Sequence, residues 1–388
     1  MIPAARAAAA IAVLDRILDG TPAAQALTNW ARQARYAGSG DRRAVRDLVF
    51  RALRQRRSAA AMGGSETGRG LILGLAREEG QQAIWFDGSP YGPAPEGPGD
   101  ESRPLTENEK LDLPDWLIPR LRMALEADFP AIARLMRHQA PIVLRVNAVR
   151  ISRQDAADLL AKDGIETRPH PLTAYGLEVM TNARKVRSSA AYASGLIELQ
   201  DAASQAVVES LPLQPGLHVL DLCAGGGGKI LAMAAREELH LWAHDAAPKR
   251  MKDLPVRAAR ARAQITIIHD PQQAAPYDLV LADVPCSGSG SWRRDPEGKW
   301  RLTPKSLAEL QKLQSDIMDR AATLLCAGGK LAYVTCSFLR EENEDQIAGF
   351  LARHPGWHCE IQRRFDPLQG GDGFFLAVLA GPAAAPMK

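Results

Sequence analysis

The stretch Leu217-His218-Val219-Leu220-Asp221-Leu222-Cys223-Ala224-Gly225-Gly226-Gly227-Gly228-Lys229 decides the fold. A short apolar run ending in a carboxylate, then glycines, then a helical pattern reads as strand, turn and helix of an α/β unit. Four glycines let the backbone approach a ligand closely, and a helix N-terminus favours an anionic group there. A phosphate-binding P-loop needs glycine six residues before the lysine and serine or threonine after it. Those positions hold Cys223 and Ile230, which argues against a nucleoside triphosphatase.

Strand-like runs recur downstream. Residues 239–244 end in Asp245, 264–268 in His269-Asp270, 277–282 in Asp283, and 330–334 in Thr335-Cys336. Helical patterns lie between them. The expected fold class is therefore α/β: a doubly wound, Rossmann-like, mostly parallel sheet over residues 196–388. Ligands of such sheets sit at the carboxyl ends of the strands. Asp245 can accept from both ribose hydroxyls of a nucleoside, and Asp270 from an adenine amine. Carboxylates at successive strand ends favour a bound adenosine over separate strand caps. NAD and S-adenosylmethionine both carry adenosine, and the missing GxGxxG continuation counts against NAD. Pro255 is expected to kink the helix after the second of these strands.

Upstream the pattern is helical. Ala9, Val13, Leu14 and Ile17 share one face, as do Val45, Leu48, Val49 and Leu53. Residues 1–86 read as an all-α domain. Residues 87–113, rich in Gly and Pro, read as a linker. Residues 114–195 read as a helical connector followed by a small α+β module: strand 142–146, helix 153–162, strands 166–169 and 177–180.

The first 60 residues carry 11 arginines against 4 carboxylates, whereas the rest of the chain is slightly acidic. An arginine-rich helix surface, including Arg42, Arg43 and Arg46, suits bidentate phosphate contact; a solvated helix face is the alternative. Among 388 residues, 46% hydrophobic, no apolar run reaches the roughly 18 a membrane span needs. The alanine-rich opening imitates a signal segment, but Asp15 and Arg16 end it. Five cysteines, an odd number with no CxxC pair or Cys/His cluster, speak against a disulfide framework and a structural metal. Free thiols point to the reducing cytoplasm. No membrane partner and no metal are expected, and the chain is expected to act as a monomer.

Two cysteines fall at strand-to-loop junctions on the ligand edge: Cys286 in Asp283-Val284-Pro285-Cys286-Ser287-Gly288-Ser289-Gly290, and Cys336 in Thr335-Cys336-Ser337. Carbon 5 of cytosine is not nucleophilic. A thiolate added at carbon 6 makes it enamine-like, able to attack a sulfonium methyl, after which the carbon-5 proton and the thiol leave. A carboxylate on the cytosine N3 and exocyclic amine stabilises the charge that develops, and Asp283 is suitably placed. The base must first leave its stack.

These segments, with Arg293-Arg294-Asp295-Pro296, Lys299-Trp300-Arg301, Glu341-Glu342-Asn343 and Asp372-Gly373-Phe374-Phe375, resemble the RsmB/NOP/Sun family of RNA cytosine-5 methyltransferases. The likeness runs over most of the chain. Residues 1–86 resemble the NusB-like RNA-binding extension of bacterial members. The α+β module, from Leu144-Arg145-Val146-Asn147 to Gln200-Asp201-Ala202, is similar to the family's RNA-recognition-motif-like module. The resemblance implies that Cys336 is the nucleophile and that Cys286 assists breakdown of the covalent adduct. It implies that Asp283 contacts the cytosine and lies at the cofactor edge. It also implies that Cys223, Ala224, Gly225, Gly226, Gly227, Gly228 and Lys229, with Asp245 and Asp270, bind S-adenosylmethionine. Arg293, Arg294, Lys299 and Arg301, just beyond Cys286, are read as RNA phosphate contacts; a solvated loop is the alternative. The RNA implied is ribosomal. One departure stands out: the family's Ala-Pro-Gly-Gly-Lys-Thr loop here reads Gly225-Gly226-Gly227-Gly228-Lys229-Ile230, without the stiffening proline. The competing function is a non-catalytic RNA-binding assembly factor that keeps the fold. DNA as substrate is disfavoured, because the DNA enzymes need no second Thr-Cys motif.

Overall fold

The computed structural model describes residues 1–382. The chain forms two compact units: Met1–Gln139 with Trp292–Arg301, and Ala140–Ser291 with the chain from Leu302 onward.

The first unit is helical. Helices Pro3–Leu18, Ala23–Gln33, Ser39–Arg54, Arg56–Met62 and Gly68–Glu78 enclose a core that includes Val13, Leu14, Val45, Val49, Leu53 and Leu71. The two apolar faces read from the periodicity are the buried ones. This unit does not end near residue 86, however. Residues 87–113 pack as part of it: Asp100 pairs with Arg69, and Leu113 is buried. Asp112 is fully enclosed, accepting from Ser58 N and Oγ at 2.8 Å each and from Arg137 Nε at 2.8 Å. Side-chain bonds of this kind hold a backbone too rich in Gly and Pro for regular structure. Helices Ile118–Leu125 and Phe129–Met136 pack within this same unit.

Ten residues from far along the chain, Trp292–Arg301, complete this unit. Arg54 Nε donates to the Arg293 carbonyl at 2.8 Å, Lys299 Nζ to the Arg54 carbonyl at 2.9 Å, and Trp300 Nε1 to the Leu53 carbonyl at 2.7 Å. The expected phosphate contacts Lys299 and Arg293 are thus enclosed, 1% and 6% exposed, with no face left for RNA. A basic loop in the sequence is here partly a packing element. Burial pulls the Lys299 ammonium from 10.5 down to about 7, against the attraction of Asp112.

The second unit holds two sheets. Strands β1 (Val143–Val146), β2 (Thr167–Pro169), β3 (Gly176–Val179) and β4 (Ile197–Leu199) form an antiparallel sheet ordered β2-β3-β1-β4. Its core, Leu144, Val146, Leu177 and Ile197, packs on Ala156 and Leu160 of helix Arg153–Lys162. That helix starts at Ser152, whose hydroxyl accepts from Asp155 N. β4 is absent from the sequence reading because three residues show no period.

The larger sheet contains β5 (His218–Asp221), β6 (His240–Ala243), β7 (Thr266–Ile267), β8 (Tyr277–Asp283), β9 (Leu325–Thr335), β10 (His358–Phe365) and β11 (Phe374–Ala380). Their order is β10-β11-β9-β8-β5-β6-β7. β9, β8, β5, β6 and β7, in that order across the sheet, pair in parallel; β11 runs antiparallel between β9 and β10. The expected doubly wound, mostly parallel sheet is present. Pro255 lies in the first turn of helix Leu254–Ala261, so it starts that helix and does not kink it. The strand order reverses between β5 and β8, the point at which sheets of this kind bind their ligands.

The buried lysine gives a test. An unfolded Lys299 titrates near 10.5 and the folded one at about 7. The unfolded chain therefore binds the extra proton between these values, and folding stability rises with pH across that window. We expect the melting temperature of the wild type, relative to Lys299→Met, to climb by a few degrees from about pH 7 to about pH 9. A pH-independent difference between the two melts would contradict the assignment.

Candidate active site

The loop after β5 bends through Gly225 (φ 51°) and Gly227 (φ 80°), conformations that favour glycine. A Cβ at Gly227 would lie 2.3 Å from Leu254 Cδ1. Asp245, at the end of β6, fixes the front of the loop. Its Oδ2 accepts from Gly225 N at 2.9 Å and pairs with Arg250 at 3.0 Å, and its Oδ1 accepts from Ala247 N at 2.8 Å. The back is held by side chains that sequence reasoning missed. Arg145 Nη1 and Gln200 Nε2 donate to the Gly228 carbonyl at 2.8 and 3.1 Å, and Arg257 donates to the Gly226 carbonyl. Arg145 is the lone charge in the buried strand Val143–Val146, a signal that was legible. These three donors do for Gly225-Gly226-Gly227-Gly228 what a proline does for the usual loop: they restrict it.

Three carboxylates crowd this loop: Asp221, Asp245 and Asp283. Asp221 is buried, its Oδ1 has no hydrogen-bond partner, and burial together with the Asp283 charge pushes it up to about 7. A buried, orphaned acidic oxygen beside a glycine cradle fits a ligand carrying positive charge and donors, as S-adenosylmethionine does. Asp270 is exposed and caps the turn Pro271–Ala274 through Gln272 N at 3.0 Å. Cys223 is driven up to about 12 by burial among these carboxylates, so it lines the loop as an inert thiol.

Beside this loop, the loops after β8 and β9 bring Cys286 and Cys336 together, with their sulfurs 3.4 Å apart. The hydrogen bond from Cys286 pulls Cys336 below the ordinary thiol value; burial and Asp283 oppose this, and Lys229 assists. Cys286 is pushed the other way by that same bond and by its burial. The pair thus divides into a thiolate-prone Cys336 and a proton-holding Cys286. Lys229 Nζ sits 2.5 Å from Asp283 Oδ2, joining the glycine loop to the end of β8. Ser291 Oγ lies 4.0 Å from Cys336 Sγ. Gly290 admits the closest approach: a Cβ there would strike the Gly373 carbonyl at 2.0 Å. Instead Gly290 N donates to the Cys336 carbonyl, and Gly373 N to the Gly290 carbonyl, each at 2.9 Å.

Arg42, Arg43 and Arg46 are exposed on helix Ser39–Arg54, and Arg294 and Arg301 are exposed in the Trp292–Arg301 segment. His244 binds the Leu222 carbonyl and His354 binds Asp319, both as structural groups. Among the described residues no helix is long and apolar enough to cross a membrane.

A seven-stranded sheet with a glycine cradle, strand-end carboxylates and an orphaned acid defines the S-adenosylmethionine-dependent methyltransferase class. Comparison with known proteins narrows this. Residues 208–380 match the family model described as 16S rRNA methyltransferase RsmB/F, and residues 113–186 match the ferredoxin-like domain of RsmF/B-like methyltransferases. The ribosomal RNA small subunit methyltransferase B proteins of Yersinia pseudotuberculosis and Yersinia pestis are 34% identical over 286 residues, 69% of this chain and 66% of theirs. The chain belongs to the RsmB/F methyltransferase family. Its match thus spans a little under two thirds of these relatives' length. Among solved structures, PH0851 covers 98% of this chain and 99% of its own, with a TM-score of 0.75 and 23% identity. NSun6 from Pyrococcus horikoshii, solved with SFG, covers 69% of this chain and 98% of its own, with a TM-score of 0.60 and 17% identity. At these identities both likenesses speak to fold alone.

The carboxylate at the end of β6 is testable by calorimetry. We expect Asp245→Ala to weaken S-adenosylmethionine binding by about 10- to 100-fold, the loss of a charge-assisted hydrogen bond. Unchanged affinity would remove Asp245 from the cofactor site.

Proposed function

We propose that this protein forms 5-methylcytosine in ribosomal RNA. The observation that carries the reading is the sulfur pair of Cys286 and Cys336, 3.4 Å apart and beside Asp283. Cys336, thiolate-prone, adds to carbon 6 of an unstacked cytosine. Asp283, held by Lys229, accepts from the exocyclic amine and carries to N3 the proton that Cys336 gives up, stabilising the adduct. The glycine loop, Asp221 and Asp245 would hold S-adenosylmethionine, which supplies an electrophilic methyl group when bound. Cys286 assists breakdown of the adduct, freeing Cys336. Ribosomal RNA as the substrate class follows the names of the RsmB/F family and its relatives.

Affinity for RNA is assigned to exposed arginines: Arg42, Arg43 and Arg46 in the helical unit, and Arg294 and Arg301 beyond Cys286. The five free cysteines suit a reducing compartment, and we place the enzyme in the cytoplasm. The non-catalytic assembly-factor reading is disfavoured, because a scaffold needs neither the sulfur pair nor the orphaned Asp221 oxygen.

Cys336→Ala is expected to abolish methyl transfer to 30S-derived RNA while cofactor binding persists; full activity would sink the nucleophile assignment. Cys286→Ala is expected to accumulate a protein–RNA adduct, seen as a shifted band on a denaturing gel. A gel without that band would argue against its role in release. For the basic helix, the triple variant Arg42→Glu, Arg43→Glu, Arg46→Glu should bind RNA at least about tenfold more weakly, with a shallower salt dependence. Retention of both affinity and salt slope would place RNA elsewhere.

A further inference from the structure

The two cysteine loops are joined by one side chain, in a segment the sequence marks but to which it assigns no role. Glu342, from the turn Arg340–Glu342 after β9, is fully buried. Its Oε1 accepts from Ser287 N at 2.8 Å and from Gln314 Nε2 at 3.0 Å. Its Oε2 accepts from Ser287 Oγ and Ser337 Oγ, both at 2.5 Å. Ser287 follows Cys286 and Ser337 follows Cys336. The neighbouring Asn343, also buried, grips the second loop on either side of its cysteine. Thr335 Oγ1 donates to Asn343 Oδ1 at 2.6 Å, and Asn343 Nδ2 donates to the Ser337 carbonyl at 2.9 Å.

The four bonds to Glu342 come from neutral donors. Burying a carboxylate this way is a poor route to stability, since its desolvation is offset by no cation. A glutamine would fill the space without burying a charge. What a carboxylate does better is accept from both serine hydroxyls and both loops at once, and set a negative charge beside Cys286.

We propose that Glu342, seconded by Asn343, is the positioning residue that clamps the two cysteine loops together and so fixes Cys286 as hydrogen-bond donor to Cys336. The clamp's catalytic meaning rests on the function proposed above; the clamp itself can be tested without it. The groups facing Cys336 are Cys286, Asp283, Lys229 and Ser291; those facing Cys286 are Cys336, Glu342 and Tyr333. With the clamp in place, Cys286 donates, and Cys336 holds the negative charge. The Glu342 carboxylate itself adds to the forces keeping Cys286 protonated. When Glu342 becomes Gln, two effects have opposite signs at Cys336. Removing a negative charge can only make either thiol more acidic. Losing the aligned Cys286 donor makes Cys336 less acidic. A rise at Cys336 is therefore the signature of lost positioning and cannot come from the lost charge.

The experiment is iodoacetamide labelling of the full chain against pH, without RNA or cofactor and with thiols kept reduced, each cysteine read by peptide mass spectrometry. The expected result for Glu342→Gln is a Cys336 midpoint raised toward the ordinary thiol value and a Cys286 midpoint lowered. Cys223, Cys326 and Cys359 should label as in the wild type, which reports an intact fold. Ser287→Ala, which removes one donor and leaves the charge, should shift Cys336 in the same direction by less. If Glu342→Gln unfolds, that second variant decides alone. A Cys336 midpoint that falls or stays put in the folded variants would overturn the clamp. Methyl transfer is then measured: the clamp requires a drop in kcat of at least tenfold with cofactor affinity unchanged. A shifted Cys336 midpoint in an enzyme without cytosine methylation would keep the clamp and reject the proposed function.

Discussion

Two sulfur atoms in contact, from residues 50 apart in sequence, are the constraint the catalytic unit is organised around. Their meeting depends first on strand register. β8 and β9 are parallel neighbours, with Asp283 opposite Val334, so both chains leave the sheet level with each other. Three residues on one strand and two on the other then reach the cysteines. A one-residue slip in this pairing would turn every side chain to the other face and separate the thiols. Burial holds this register: the paired stretches of β8 and β9, and β11 antiparallel on the other side of β9, are almost wholly apolar, and their side chains fill cores on both faces of the sheet.

The second constraint is charge. Asp221, Asp245 and Asp283 meet at one end of the sheet, and Lys229 and Arg250 only partly balance them. Such a cluster is unfavourable for the protein alone, and Asp221 shows the strain by holding its proton to about 7. It suits a site for a cationic cofactor, whose charge would offset the repulsion among the carboxylates. Lys229 lies where this acidic end meets the thiols. By pairing with Asp283 it joins the glycine loop to the end of β8, and its charge favours a thiolate at Cys336.

How much of this could be read from residues alone follows a physical line. Strands ending in Asp221, Asp245 and Asp283 were legible because an apolar run followed by a carboxylate and a turn residue is a local pattern. β11, Phe374–Ala380, was not: it is buried throughout and shows no alternation, and its antiparallel place between β9 and β10 comes only from pairing. The cysteines were legible by motif, but not their separation, which register sets. Lys299 and Arg293 were misread because arginine and lysine beside a catalytic loop look the same whether they face solvent or a carbonyl. Residues 87–113 were misread as a linker for a related reason. Buried Asp112 is invisible until Ser58 and Arg137 arrive from elsewhere in the chain.

The altered glycine loop shows how such a fold tolerates the loss of a stiff residue. Proline restricts a loop from within by fixing its own backbone. Here the restriction comes from outside, through Arg145, Gln200 and Arg257 on the carbonyls and Asp245 on an amide. Arg145 is buried deeply enough that desolvation lowers it to about 10, yet it remains charged at any physiological pH. A cationic donor on Gly228 O also lies at the N-terminal turn of helix Gly228–Ala234, where it adds to the positive end of the helix dipole. The acidic cluster lies at that same end. The counter-charge of the Arg145 guanidinium is Glu198, which also pairs with Arg257 and Arg260, so one buried carboxylate sets two of the three donors that hold the loop.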